Sequence, residues 1–188
     1  MLNVQNIRDE LKRKFQAGEF VTDKSGVKTV EIVSANFIAD EAAIFGEVTE
    51  YADRELEWYR SKSLNVNDIP FPVPAIWKQV ADADGYINSN YGWCIFSDGN
   101  GNQYDAAVKS LVENPDSRRS TMIYIRPSMQ TDFCKNGMSD FMCTYSTQHL
   151  IRDNKLHYIV FMRSNDAIFG YKNDYHWHKY VFDHMLAE

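Results

Sequence analysis

Cysteine is scarce in this chain. The three present, Cys94, Cys134 and Cys143, are odd in number and form no CxxC pair. That argues against a disulfide framework or a cysteine-built metal site and makes a reducing compartment the natural setting. Positive charge is also short, since 20 lysines and arginines against 26 acids leave a formal net charge of −6. Such a balance argues against nonspecific nucleic-acid binding, while a local basic pocket for one phosphate stays compatible with it. No apolar run approaches the roughly 20 residues of a membrane span. The N-terminal MLNVQNIRDELKRKF is a charged amphipathic helix rather than a signal peptide. Repeats, linkers and low-complexity tracts are missing as well. The stretch GNGNQ has neither the lysine nor the helix start of a phosphate loop and reads as a turn. A cytoplasmic chain is expected, with no membrane partner and no direct nucleic-acid contact.

What is present suffices for a packed protein: 188 residues, 44% hydrophobic and 14% aromatic, fit one domain with a sizeable core. Residues 3–16 read as a helix ended by Gly18, and residues 27–38 carry the β-branched content of a strand. Asp40 caps a helical pattern, EAAIFGEVTEYADRELEWYRSK, that runs over 41–62. The proline-rich DIPFPVPAIW is an irregular connector before a short helix near Trp77, and NSNYGWCIFSDGNGNQ reads as loop, short strand and loop. A helix over QYDAAVKSLVEN stops at Pro115. Strands follow in STMIYIRPS, FMCTYSTQHLIRD and LHYIVFMRS, the last two forming a hairpin about the turn DNK. The chain ends in a helical segment, NDYHWHKYVFDHMLAE, with Phe182 and Met185 facing the core. The class is α+β, mostly one β layer covered by helices.

Polarity is distributed oddly in FMRSNDAIFGYKNDY, residues 161–175. A fixed cation, a hydroxyl and several amides and acids sit against core-forming residues, where unpaired charge is not tolerated. A polar partner, anionic at one end, is the expectation. The HxH pair His176 and His178 faces apart at helical spacing and has no third ligand nearby in sequence, so no metal is assigned.

Three blocks carry a resemblance: DSRR (116–119), DFMCT (140–144) and RSNDAIFGYKNDY (163–175). Taken with Glu55 in RELEW and with Asn90, Tyr91, Gly92 and Trp93, they resemble the thymidylate synthase superfamily. The similarity is closer to its phage branch, the deoxycytidylate (dCMP) hydroxymethylases, and runs from about Val21 to the C-terminus. The resemblance implies a single thymidylate synthase-like domain over 1–188 whose sheet face forms the interface of a homodimer with shared active sites. It also implies dCMP as substrate and 5,10-methylenetetrahydrofolate as co-substrate, with no metal. A location in the host cytoplasm, and association with other phage nucleotide-synthesis enzymes, would follow if the gene is a phage's.

The same resemblance assigns roles. Cys143 stands at the nucleophile's position, and a thiolate suits addition to pyrimidine C6 because it is nucleophilic and can later leave. On its own Cys143 reads as an ordinary buried strand cysteine. Arg163 and Ser164 match the holders of the substrate phosphate, for which a planar fork of donors is apt. Arg118 and Arg119 match a pair that reaches that phosphate from the other subunit, and Lys24 stands for a phosphate-binding arginine in a loop. For each of these the bland alternative is surface charge.

Glu55 matches the glutamate that organises water and moves protons, against the alternative of a surface partner for Tyr59; Glu57 points elsewhere on the helix. Asn165 matches a residue near the ring, Asp166 one near ring and folate, and Tyr91 and Trp77 parts of the pocket wall, Trp77 on the folate side; an aromatic core role fits Trp77 equally well. At Asp174 the uracil enzymes carry asparagine. An acid there accepts from the cytosine amino group and shares a proton with N3, so it selects cytosine. The family continues with a His-x-Tyr segment that binds the sugar and a tail that closes over the folate, neither of which lies within these 188 residues. A dUMP-acting synthase or hydroxymethylase, and a shortened, catalytically silent nucleotide-binding subunit, are the competing readings.

Overall fold

Asn3 begins the first helix with a reciprocal cap: its side chain accepts from the Asn6 amide at 3.1 Å while its own amide donates to Asn6 Oδ1 at 3.0 Å. That detail comes from a computed structural model, which describes residues 1–22 and 26–188. Helix α1 (Val4–Ala17) stops at Gly18, whose φ of 71° is the left-handed C-terminal cap that glycine adopts without strain. The chain divides into two compact units, one of Met1–Thr49 with Asp166–Tyr175 and one of Glu50–Asn165 with His176–Glu188.

In the first unit β1 (Leu2–Asn3) precedes α1, and β2 (Val21–Thr22), β3 (Lys28–Thr29) and β4 (Phe37–Ile38) follow it. β1 pairs parallel with β4, and β2 antiparallel with β3. The single strand expected over 27–38 is thus two fragments, with Ser34 at a φ of 59° between them. Asp40 does not cap a following helix. It accepts from the Val4 amide at 3.0 Å and so braces the start of α1. The helix expected over 41–62 begins only at Glu50. Ile44 packs with Val4, Ile7 and Tyr171, and Gly46 takes a φ of 72°. Apolar residues serving two separate cores had mimicked one helical period.

The second unit holds α2 (Glu50–Ser61), α3 (Ala75–Val80), α4 (Tyr91–Phe96), α5 (Gln103–Glu113), β5 (Thr121–Ile123), α6 (Met129–Asp132), β6 (Thr144–Arg152) and β7 (Lys155–Met162). The last helix, α7 (Gly170–Leu186), starts in the first unit and contributes Trp177, Val181 and Met185 to the core of the second. Strands β5, β6 and β7 form an antiparallel sheet in that order. Asp153 and Asn154, with φ of 52° and 56°, make the two-residue hairpin turn whose twist matches its strands. A register shift between Thr144 and Ser146 marks a bulge at the start of β6.

The segment over 91–96 is a helix, contrary to the strand expected there. Asn90 caps it by accepting from the Trp93 amide at 2.8 Å, and its amide group donates to Trp58 O and Ser63 O at 3.0 and 2.8 Å. A Cβ at Gly92 would lie 1.8 Å from Tyr59 O, so only glycine lets α4 approach α2 this closely. That approach stacks Tyr91 on Tyr59, with ring centroids 5.0 Å apart and planes at 14°. Among the described residues no helix is long and apolar enough to cross a membrane.

Candidate active site

Cys143 sits half-buried immediately before the bulge of β6. The neighbouring end of β7 holds it there, because the Arg163 amide donates to Cys143 O at 2.9 Å. The Arg163 guanidinium turns back over the same loop. Its Nε donates to Met142 O at 2.9 Å and its Nη2 to Phe141 O at 2.8 Å, with the ring of Phe141 beneath it. Nη2 also lies 3.8 Å from Cys143 Sγ. A cation beside a thiol favours the thiolate. Of the other two thiols, Cys94 is fully buried, and burial pushes its pKa up to about 12. Cys134 is exposed, with its Sγ against Thr131 O.

Glu55 is buried on α2, not on the surface. Its partner is Tyr51, one turn earlier, whose hydroxyl donates to Oε1 at 2.6 Å, and Tyr51 in turn receives the indole N–H of Trp77. Burial raises the Glu55 carboxyl to about 7 despite these hydrogen bonds. Burial likewise lifts the Tyr51 hydroxyl, with the Glu55 charge adding to it. Glu57 is exposed, as the helical spacing requires. Trp77 is half-buried on α3 with its ring edge to Trp58.

Asp140 anchors the loop before Cys143. Its carboxylate accepts from the amides of Asn88 and Ser89 and from Ser89 Oγ, all at 2.8 Å. Burial raises its pKa, opposed by these bonds and by the Arg163 charge. Behind Cys143, Thr144 Oγ1 donates to the Tyr91 hydroxyl at 3.2 Å and lies 3.3 Å from His178 Nε2. Desolvation lowers His178 to about 3, so its ring is neutral.

The remaining assigned residues are more dispersed. Ser164 and Asn165 are exposed just beyond Arg163, with Asn165 Nδ2 near Met162 Sδ. Arg118 and Arg119 are exposed before β5, and neither forms an ion pair among the described residues. Asp166 and Asp174 belong to the first unit. Asp166 Oδ1 accepts from the amides of Ile168, Phe169 and Gly170, which makes it the cap of α7. Asp174 is half-buried on the second turn of α7. Lys24 lies outside the described residues.

Sequence reasoning assigned no role to Tyr51, Asp140 or His178. Tyr51 was legible as the i−4 neighbour of Glu55 on one helix face. The HxH pair was examined only for metal, and no metal-binding cluster of His, Cys, Asp or Glu occurs among the described residues. A thiol beside a guanidinium, in a unit that also holds a buried carboxyl titrating near neutrality, is the equipment of covalent nucleophilic catalysis on an anionic substrate.

The family model described as thymidylate synthase matches residues 6–188. The deoxycytidylate 5-hydroxymethyltransferase of Enterobacteria phage T4 is 56% identical over 188 residues, which is 100% of this chain and 76% of that protein. Thermostable thymidylate synthase A of Bacillus subtilis superposes with a TM-score of 0.55 at 27% identity, over 72% of this chain and 49% of that one. The crystal structure of thymidylate synthase from T4 phage shares the fold, with a TM-score of 0.67 at 18% identity over 95% of this chain and 68% of that one. The chain belongs to the thymidylate synthase family.

Proposed function

We propose that the chain transfers a one-carbon unit from 5,10-methylenetetrahydrofolate to C5 of dCMP and hydrates it to 5-hydroxymethyl-dCMP. The observation that carries this reading is the 56% identity, over the whole chain, to the phage T4 protein of that name. The placement of Cys143 against Arg163 supports it.

Cys143 forms a bond from sulfur to C6, which moves electron density to C5 and makes that carbon the nucleophile. Arg163, with Ser164, holds the 5′-phosphate through charge-assisted donors, and Arg118 and Arg119 of a partner subunit complete that grip. The apolar sheet face offers the interface: Ile123 and Phe161 lie opposite Ser146 and Ile159 opposite Gln148, and all three apolar residues are exposed. Asp174 accepts from the 4-amino group and shares a proton with N3 while charge develops on the ring. The folate would supply an electrophilic one-carbon unit to C5; loss of the C5 proton and departure of tetrahydrofolate would then leave an exocyclic methylene on the ring.

Trp77 fits such a flat heteroaromatic partner, being half-exposed and tied by its N–H to Tyr51; Asp166 is the second residue assigned to it. Glu55, poised near neutrality, takes and returns protons and orients the water that adds to the exocyclic carbon. Cys143 then leaves as thiolate and the 5,6 double bond re-forms.

The test is tritium release from 5-tritiated dCMP in the presence of methylenetetrahydrofolate. Wild type should release label and Cys143→Ala should not, while the variant binds dCMP within several-fold. Release by the variant above a tenth of the wild-type rate would remove Cys143 from the reaction.

A further inference from the structure

Behind the nucleophile lies a row of buried polar groups that the mechanism above leaves unused. Thr144 is fully buried, and its hydroxyl meets Tyr91 on one side and His178 on the other. The far nitrogen of His178, Nδ1, lies 3.3 Å from the Tyr158 hydroxyl. All four residues belong to one unit and come from four elements: α4, β6, β7 and α7. Polar groups this deep cost several kcal/mol if unpaired, so a packed core would replace them by apolar residues unless their order mattered.

We propose that His178 is a positioning residue for the reaction, holding Thr144, which directly follows Cys143 in the chain, and through it the Tyr91 hydroxyl, in one set of hydrogen positions. This rests on the reading of the site given above. Thr144 has a single hydroxyl hydrogen, and the geometry directs it to Tyr91 O at 3.2 Å. Its oxygen can therefore only accept from His178, which places a hydrogen on Nε2. A neutral imidazole carries one N–H, so Nδ1 is the acceptor and the Tyr158 hydroxyl must donate to it. Every bond then runs the same way, from Tyr158 to His178 to Thr144 to Tyr91. The Tyr91 hydroxyl receives a hydrogen on its oxygen and turns its own away from Thr144. Tyr91 is thereby set as a donor, and its ring is already held by stacking on Tyr59. The same chain also ties Thr144 at the bulge next to Cys143, where the strand register shifts.

Two measurements test this. In tritium release from 5-tritiated dCMP, Thr144→Val, which keeps the shape and loses the hydroxyl, should lower kcat at least tenfold with KM for dCMP within threefold. His178→Leu should do the same, and the double variant should fall no more than twofold below either single one, because the row is broken only once. Thr144→Ser and His178→Gln, which restore a hydroxyl and a donor, should recover kcat to within threefold of wild type. A Thr144→Val enzyme within twofold of wild-type kcat, or a Gln variant as impaired as the Leu variant, overturns the proposal.

The second measurement does not depend on turnover. Nitrogen-15 spectra of labelled histidine in the wild-type chain should show His178 neutral with its hydrogen on Nε2. A hydrogen on Nδ1 overturns the proposed direction even if label release is normal. A wild type that releases no tritium while His178 shows the Nε2–H form refutes the assigned reaction and leaves the order of the row standing.

Discussion

Replacing Glu55 by glutamine removes a titrating group while preserving its shape and its ability to accept from Tyr51. In the folded chain this carboxyl titrates at about 7, against 4.5 for the unperturbed group, because burial disfavours the anion. The sign follows from proton linkage. Between those two values the native state holds a proton that the unfolded state has lost, so wild type loses stability as pH rises through that window. Each pH unit of such displacement is worth about 1.4 kcal/mol, so between pH 5 and pH 8 the loss comes to about 2.5 kcal/mol. Glutamine carries no such penalty.

Urea unfolding of both proteins at pH 5, 6, 7 and 8 should therefore show the variant gaining on wild type by about 2–3 kcal/mol across the range, roughly a 1 M relative shift in midpoint. Other groups titrate alike in both proteins and cancel in the difference. The same variant should lose on the order of 100-fold or more in kcat at every pH, as expected for a lost proton carrier. A stability difference that stays level between pH 5 and pH 8 would show that the carboxyl is hydrated. Burial would then not be what tunes Glu55 for proton transfer.

If the proposed dimer shares its sites, mixing Arg118→Ala chains with Cys143→Ala chains should restore tritium release, because one site of the mixed pair would carry neither lesion. Inactivity with subunit exchange demonstrated by mass would place Arg118 outside a shared site. Asp174→Asn should invert the ratio of kcat/KM for dCMP over dUMP by about a hundredfold or more, since a mismatched exocyclic pairing costs a few kcal/mol; an unchanged ratio would strip Asp174 of its role as selector. Gly92→Ala should destabilise by several kcal/mol in urea or thermal unfolding, because the new Cβ would sit 1.8 Å from Tyr59 O. A loss below about 1 kcal/mol would mean that α2 and α4 can part without consequence.

Much of this chain could be read in one dimension. The helix over 4–17 with its glycine stop, the hairpin about Asp153 and Asn154 and the helical C-terminal segment all follow from local patterns, and all are present. Local pattern suffices there because caps, turns and periodicity act within a few residues. The motif blocks likewise pointed to Cys143, Arg163 and Glu55. It took folding to bring Arg163 against Cys143, since they meet only when β7 returns along β6.

Other features depended on contacts that no local pattern encodes. The pattern over 41–62 looked like one helix because Ile44 and the apolar face of α2 happen to share a phase, yet they feed different cores. The stretch over 91–96 read as a strand, and becomes a helix because buried Asn90 finds acceptors 32 and 27 residues upstream. Sequence alone thus singled out Cys143, Arg163 and Glu55 as residue types suited to a pyrimidine C5 reaction. Tertiary structure decided their state. Glu55 titrates near neutrality only because surrounding residues exclude water, and His178 becomes a neutral partner of Thr144 only because α7 buries it against β6. Burial and pairing depend on where the chain returns to itself, and those are the terms that set both protonation and hydrogen position.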